Sequence, residues 1–306
     1  PTYNTDHFDT GWVWDSNKHF YHFRALMPSN TPTTLNAEGG DYASLVSAKD
    51  YVDVRWGAPF KDIEPGNEDD NSATLKWNYG PQTNGFDGND AIDFTLEDNK
   101  AKHQIYKAIG PTEDQIKLIL FHAMSEVTFT ITTSTDEKDK VDLGDGSSSK
   151  TQVKLEGFYP KGQILLGNGL VKTSGVTGNS GSIAQKSFTA AVDASGDTPA
   201  KAAKAKFVYG VVPQDLTGVQ LRIITPDNNE YLVPLNNLET AVGNVSNNNI
   251  VNPYTVTGEK VKIDRWYPNF KYNYTFTLKK KGMADFTVTV LNWEEVSAEV
   301  DNVQIQ

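Results

Sequence analysis

The side chains of this 306-residue chain that could do chemistry are few and scattered. The histidines are His7, His19, His22, His103 and His122. None stands in the His-x-x-x-His or His-Glu-x-x-His spacing that sets two imidazoles on one helix face around zinc. There is no cysteine, which excludes disulfides, a thiolate metal site and a Cys nucleophile. No Gly-x-Ser-x-Gly elbow presents a serine. Glu294 and Glu295 are adjacent, and adjacent strand residues point to opposite faces, so this pair cannot flank one glycosidic bond. A glycosidase built from distant carboxylates stays open as an alternative; it needs two carboxyls about 5–9 Å apart in a cleft. With no site visible, the chain is read as a non-enzyme without a cofactor.

Two binding chemistries are worth weighing. Asp87-Gly-Asn-Asp90, followed by Asp93, crowds oxygen ligands into a loop, and calcium accepts irregular oxygen cages. Asp87, Asn89 and Asp90 are thus the weak calcium candidates, but the EF-hand spacing and its terminal Glu are missing, and an Asx-turn loop that solvates itself is the simpler reading. Trp12 and Trp14 lie two apart and share a strand face, as a sugar-stacking platform would; core or inter-strand packing is the usual fate of such rings. Leu143-Gly-Asp-Gly146 has the glycines of a phosphate loop, yet no Gly-Lys-Ser/Thr follows and no helix is expected to open after it. His122 sits inside an apolar strand and is expected to be a core histidine satisfied by backbone groups.

The elements that would position these residues are strands. Along Gln115–Thr133, Ile119, Phe121, Ala123, Ser125, Val127, Phe129 and Ile131 recur at every second position, and β-branched and aromatic types dominate, so one long strand is expected. Its first half has apolar residues on both faces; its second half alternates with Glu126, Thr128, Thr130 and Thr132 and suits one buried face. Further strands are expected at 7–28 around a turn, at 50–60, 152–158, 163–166 and about 187–192, and at 207–214. A hairpin is expected at 218–224 and 231–235, with Pro234 marking an edge. A second hairpin pairs Tyr272, Tyr274, Phe276 and Leu278 with Phe286, Val288 and Val290. Tyr42–Lys49 is read as a short helix, 133–150 as a polar hairpin tip, and 167–206 as mostly mobile loop. The tail alternates again at Val296, Ala298 and Val300, followed by Val303 and Ile305, as one more strand would.

The chain is long enough for two domains, and 38% hydrophobic content is too rich for disorder. A net charge of −11, with no Lys/Arg cluster interleaved with aromatics to offset it, would repel phosphate backbones and anionic lipid heads, so no nucleic-acid partner is expected. No apolar run has the length of a membrane span. The chain begins at Pro1 with no leader-like segment, and removal of an upstream targeting segment is expected.

Leu118-Ile-Leu-Phe-His-Ala-Met-Ser-Glu-Val-Thr-Phe129 resembles the L-x-F-x-H-x-L-S-x-V signature of the fimbrillin family of Bacteroidetes, which includes pilus shaft, tip and anchor subunits. The resemblance extends in order through Phe23-Arg-Ala-Leu-Met-Pro28, Val153-Lys-Leu-Glu-Gly157, Val212-Pro-Gln214 and Trp266–Leu278, where Asn269 stands in place of the usual Gly, to Val290–Trp293. It implies an all-β fold of two tandem transthyretin-like β-sandwich domains, divided here into residues 1–161 and 162–306. It also implies a surface pilus subunit or pilus-like adhesin, exported as a lipoprotein to the outer membrane through a cysteine upstream of Pro1. Its partners would be other pilus subunits, in a homo- or hetero-polymer, and host or bacterial surface glycans or proteins.

In that family an Arg-directed protease frees a groove that accepts a terminal strand of the next subunit. Val296, Ala298, Val300, Val303 and Ile305 are the expected donor. Arg24, Arg55, Arg222 and Arg265 all lie in or beside expected strands, so processing is expected upstream of Pro1 unless the subunit is an unprocessed tip or anchor. The competing binding class is a surface glycan-binding lipoprotein that stacks sugars on Trp12, Trp14, Trp56 or Trp77; exposed, coplanar rings would favour it.

Overall fold

The structure, a computed structural model, describes residues 2–3, 8–9, 25–27, 33–34, 42–59, 118–166, 169, 171–195, 199–245, 256–280, 282–292 and 296–298. These residues are almost entirely β, as the alternating sequence requires. In chain order the strands are β1 (Thr2–Tyr3), β2 (Phe8–Asp9), β3 (Ala25–Met27), β4 (Thr33–Thr34), β5 (Tyr42–Val46), β6 (Arg55–Pro59), β7 (Leu118–His122) and β8 (Ser125–Thr133). Then come β9 (Gln152–Phe158), β10 (Lys161–Leu165), β11 (Val171–Ser174), β12 (Gly178–Asn179), β13 (Gln185–Thr189), β14 (Lys204–Val211), β15 (Gln214–Asp215) and β16 (Gln220–Ile224). The rest are β17 (Glu230–Pro234), β18 (Leu238–Ala241), β19 (Val256–Thr257), β20 (Lys260–Ile263), β21 (Arg265–Trp266), β22 (Phe270–Lys279), β23 (Gly282–Asn292) and β24 (Val296–Ala298).

The largest sheet has the order β13-β14-β8-β22-β23. Its inner face carries Val127, Phe129 and Ile131 of β8, Phe207 of β14 and Tyr272, Tyr274 and Phe276 of β22, all buried. They belong to one apolar cluster with Val153 and Leu155 of β9 and Leu221 and Ile223 of β16, from the sheet ordered β12-β9-β16-β17. The aromatic residues of β22 stack along the strand: Tyr274 and Phe276 have ring centroids 6.2 Å apart and planes 5° apart, and Phe129 stacks on Tyr274 at 5.6 Å. Phe129 and Tyr274 are opposite each other across β8 and β22, and cross-strand pairs of this kind stabilise a sheet. A second cluster joins Ala43, Leu45, Val54, Trp56, Ala123, Met124, Ile164, Val171 and Val212 and involves the sheets β11-β10-β5-β4 and β24-β7-β6-β3.

Several expectations need correcting. The long strand is two strands: it breaks at Ala123–Met124, and β7 and β8 lie in different sheets. Alternation continues through the break because period two reports which face is buried and not which sheet buries it. Tyr42–Val46 is strand β5 and not a helix; buried Ala43 and Leu45 alternate with Tyr42 and Ser44, and β10 supplies its ladder. Residues 133–150 do not cap a hairpin, since β8 and β9 are in separate sheets, and Val141 and Leu143 are buried within the segment. Between 167 and 206 the described residues hold β11, β12, β13 and the start of β14 rather than one strand. Residue 161, where the sequence reading divides the chain, is the first residue of β10, and ladders join strands on its two sides: β8 and β9 pair with β14 and β16, and β10 pairs with β5. Periodicity identifies strands but not their partners.

Both hairpins form as the sequence indicates, β16 with β17 and β22 with β23. Pro234 ends β17, an edge strand of its sheet.

Candidate functional site

The tail and the β7–β8 break define the region of interest. β24 adds to the edge of the sheet β24-β7-β6-β3, antiparallel to β7, with Val296 opposite Leu120, Ser297 opposite Ile119 and Ala298 opposite Leu118. A backbone ladder of this kind is sequence-tolerant, because main-chain groups make it. Val300, Val303 and Ile305 lie outside the described residues.

Directly after β7 the chain turns from one sheet to the other, and its backbone partners change with it. The Ala123 N–H donates to the Val54 carbonyl at 2.7 Å, and the Asn269 N–H donates to the Met124 carbonyl at 3.2 Å. Asn269 is buried with φ 66°, the left-handed region, which Asn tolerates better than residues other than Gly. Its side chain explains why Gly is not used: Asn269 Oδ1 accepts the His122 N–H at 3.2 Å. Ser125 Oγ donates to the Tyr267 carbonyl at 2.6 Å, the Tyr267 N–H donates to the Tyr272 hydroxyl at 2.7 Å, and Trp266 Nε1–H donates to the Tyr274 hydroxyl at 2.9 Å. Burial pushes the Tyr274 hydroxyl pKa up, so it stays protonated and able to accept this bond. The Trp-x-Pro-Asn turn is therefore fastened to the break at both Met124 and Ser125. Ser125→Ala, which removes a single neutral bond, is expected to cost about 1 kcal/mol in urea unfolding.

On the other side of β7, His122 Nδ1 is 2.7 Å from Asp53 Oδ1. A carboxylate is thus one partner of this buried histidine's ring, beside the backbone groups expected for it. Arg55 binds the same carboxylate through Nε at 3.0 Å and through its terminal nitrogen at 2.9 Å. Burial raises the Asp53 carboxyl pKa, but hydrogen bonds and charge from His122 and Arg55 outweigh it and hold the group below the ordinary carboxylate range. Tyr51, two residues before Asp53, lies so close over Gly210 that a Cβ at that position would come within 2.0 Å of the ring. Its hydroxyl reaches Glu126 Oε2 at 3.2 Å, and burial together with Glu126 pushes its pKa up. Gln214 closes the Val-Pro-Gln motif as a backbone mimic, accepting the Tyr159 N–H at 2.6 Å and donating to the Tyr159 and Val212 carbonyls at 3.1 and 2.9 Å.

Sequence alone does not single out Asp53, Asn269, Tyr51 or Gln214 as side chains with a task. The one available signal is Asn269 itself, a polar residue where the pattern has Gly. Trp56 is fully buried, and its Nε1–H donates to the Leu166 carbonyl at 2.8 Å, so it offers no face to a sugar. Trp12, Trp14 and Trp77, the candidate calcium residues Asp87, Asn89 and Asp90, and His7, His19, His22 and His103 lie outside the described residues. Arg55, Arg222 and Arg265 are within strands. Among the described residues, no group of three His, Asp or Glu is arranged to hold a metal ion, and no helix is long and apolar enough to cross a membrane.

Comparison with solved structures finds distant likenesses. A protein from Bacteroides uniformis, ascribed to cell adhesion, is 12% identical with a TM-score of 0.47, over 90% of this chain and 73% of the other. A fimbrial protein from Bacteroides vulgatus is 13% identical with a TM-score of 0.33, over 89% and 77%. The tip fimbrial protein Mfa3 from Porphyromonas gingivalis, with a C-terminal truncation, is 13% identical with a TM-score of 0.32, over 57% and 52%. No curated protein matches the chain. A family model described as fimbrillin-like matches residues 65–293, a span that takes in the β7–β8 break, the Trp-x-Pro-Asn turn and the hairpin that follows it; the chain belongs to the fimbrillin-like family.

Proposed function

We propose that this chain is a non-enzymatic subunit of a cell-surface pilus or pilus-like adhesin that joins its neighbours by strand donation. The reading holds that the precursor is exported as a lipoprotein to the outer membrane, that the partners are other pilus subunits, and that the two apolar clusters are the cores of two transthyretin-like sandwich units. Family membership supports the pilus reading. The position of β24 carries the strand-donation part: a short strand at the end of the described chain adds to a sheet edge through a main-chain ladder. The same ladder made to β7 of a neighbouring copy would leave that sheet unchanged while linking two chains head to tail, and a heterologous contact that does not close gives a filament. Val296, Ala298, Val300, Val303 and Ile305 are the proposed donor segment.

The test compares the full chain with a version ending at Trp293, each with and without trypsin, by size-exclusion chromatography and electron microscopy. Protease-induced polymers in the full chain and none in the truncated one are the expected result. If neither polymerises, the tail is simply its own chain's last strand, and a tip, anchor or glycan-binding subunit becomes the better reading.

A further inference from the structure

The alternation of the tail leaves its register on β7 undecided. Val296, Ala298 and Val300 are aliphatic and two apart, and a strand that slips by two residues keeps every side chain on its face. In the observed register Val296 stands opposite Leu120 and Ala298 opposite Leu118. A slip by two toward the β7–β8 break would set Val296 opposite His122, Ala298 opposite Leu120 and Val300 opposite Leu118. One aliphatic residue replaces another, so the side chains of the tail do not single out the observed register.

The backbone does. Along a strand the N–H groups point alternately to the two neighbouring strands. The Ala123 N–H donates to the carbonyl of Val54, which directly precedes β6. The His122 N–H therefore points the other way, to the edge on which β24 lies. Asn269 Oδ1 accepts it there at 3.2 Å, and the Asn269 N–H donates to the Met124 carbonyl just beyond. Among the described residues the β24 ladder reaches Leu120, and the next N–H on the same edge is the one that Asn269 holds. Asn269 is buried, and its turn is fastened through the Tyr267 carbonyl and N–H to Ser125 and Tyr272, so this side chain does not yield easily to an incoming strand.

We infer that Asn269 is the register stop of the β7 edge. Acting through His122, it occupies the donor that a strand advanced by two residues would need, and so fixes where a seated tail strand begins. The strand it positions is the tail from Val296 onward: β24 of the same chain and, resting on the strand-donation reading, the tail of a neighbour.

The chain has no cysteine, so introduced pairs report the register directly. Ile119 and Ser297 are opposite in the observed register and form the non-hydrogen-bonded type of pair, with Cα atoms about 4.5 Å apart and within reach of a disulfide. Ile119 and Glu299 are opposite only after the slip; in the observed register they are diagonal neighbours about 7–8 Å apart, out of reach. With Asn269 in place, Ile119→Cys with Ser297→Cys is expected to oxidise at least about 10-fold faster than Ile119→Cys with Glu299→Cys. Asn269→Gly, and independently Asn269→Ala, remove the acceptor and are expected to shift this ratio about 10-fold toward the Glu299→Cys pair. Asn269→Asp, which keeps an acceptor, is expected to retain the original preference. Thermal melts establish that each variant folds. Failure of the Ser297→Cys pair to form with Asn269 present, equal oxidation of the two pairs, or a ratio unmoved in both Asn269→Gly and Asn269→Ala would each overturn the inference. Non-reducing gels separate it from strand donation: a disulfide within one chain runs as a monomer and one to a neighbour as a ladder. A monomer band alone counts against donation while the ratio still reads the stop.

Discussion

Asn269→Ala lowers the free energy of unfolding by about 3 kcal/mol, and Asn269→Gly lowers it by about 2 kcal/mol. The two variants separate the backbone and side-chain contributions of this residue. Asn269 holds φ 66°, a conformation that costs alanine roughly 1–2 kcal/mol and glycine almost nothing. Both variants lose the acceptor of the buried His122 N–H, the 3.2 Å bond from Asn269 Oδ1, and removing one partner of a buried bond costs about 1–3 kcal/mol. Urea unfolding of wild type and the two variants gives both numbers. Glycine equal to wild type would mean the side-chain bond contributes nothing; glycine equal to alanine would mean the left-handed backbone carries no cost. Because the turn bonds Met124 as well as His122, the loss is expected to loosen the β7–β8 break first, and hydrogen exchange should rise at residues 122–125 before it rises in β22.

The contrast between this turn and the rest of the chain shows where a sequence speaks and where it is silent. Tyr272, Tyr274, Phe276 and Leu278 alternate with polar residues and a turn follows, so local pattern specifies β22 and β23 together, and they pair accordingly. The inner face of β8 is legible for the same reason. The break at Ala123–Met124 is not, because no Gly or Pro marks it and the groups that make it are remote: Val54 lies 69 residues upstream of Ala123 in the chain, and Tyr267 lies 142 residues from Ser125. In sequence Asp53 is one more polar residue in a strand, and only the fold brings it to His122, 69 residues further along the chain. The β10–β5 ladder is equally hidden, since Gln163–Leu166 has a weak pattern alone and gains its place from Ala43 and Leu45 across the sheet. Partner choice is a long-range property, and a single sequence carries it only where a known motif spans both partners.

Asp53→Ala is expected to cost about 3–4 kcal/mol at neutral pH and much less in acid. The carboxylate binds His122 Nδ1 at 2.7 Å and Arg55 at 2.9 and 3.0 Å, and removing it leaves two cationic or polar neighbours without this acceptor in a half-buried place. Asp53→Asn keeps the shape and one acceptor oxygen but loses the charge, so about half of the cost is expected to remain. The pH dependence follows from the direction of the shift. The Asp53 pKa is depressed in the folded protein, so the unfolded state binds the proton more readily, and stability rises with pH across the interval between the two values. The contribution is therefore complete above the unfolded carboxylate pKa near 3.9 and is lost as pH falls through the lower folded value. Urea unfolding of wild type and Asp53→Asn at about pH 7 and again at about pH 3 reads this directly, with the gap between them narrowing in acid. A gap that stays constant would show that shape and not charge holds the pair. A gap that widens would make the protonated carboxyl the more stabilising form and reverse the sign of the Asp53 contribution.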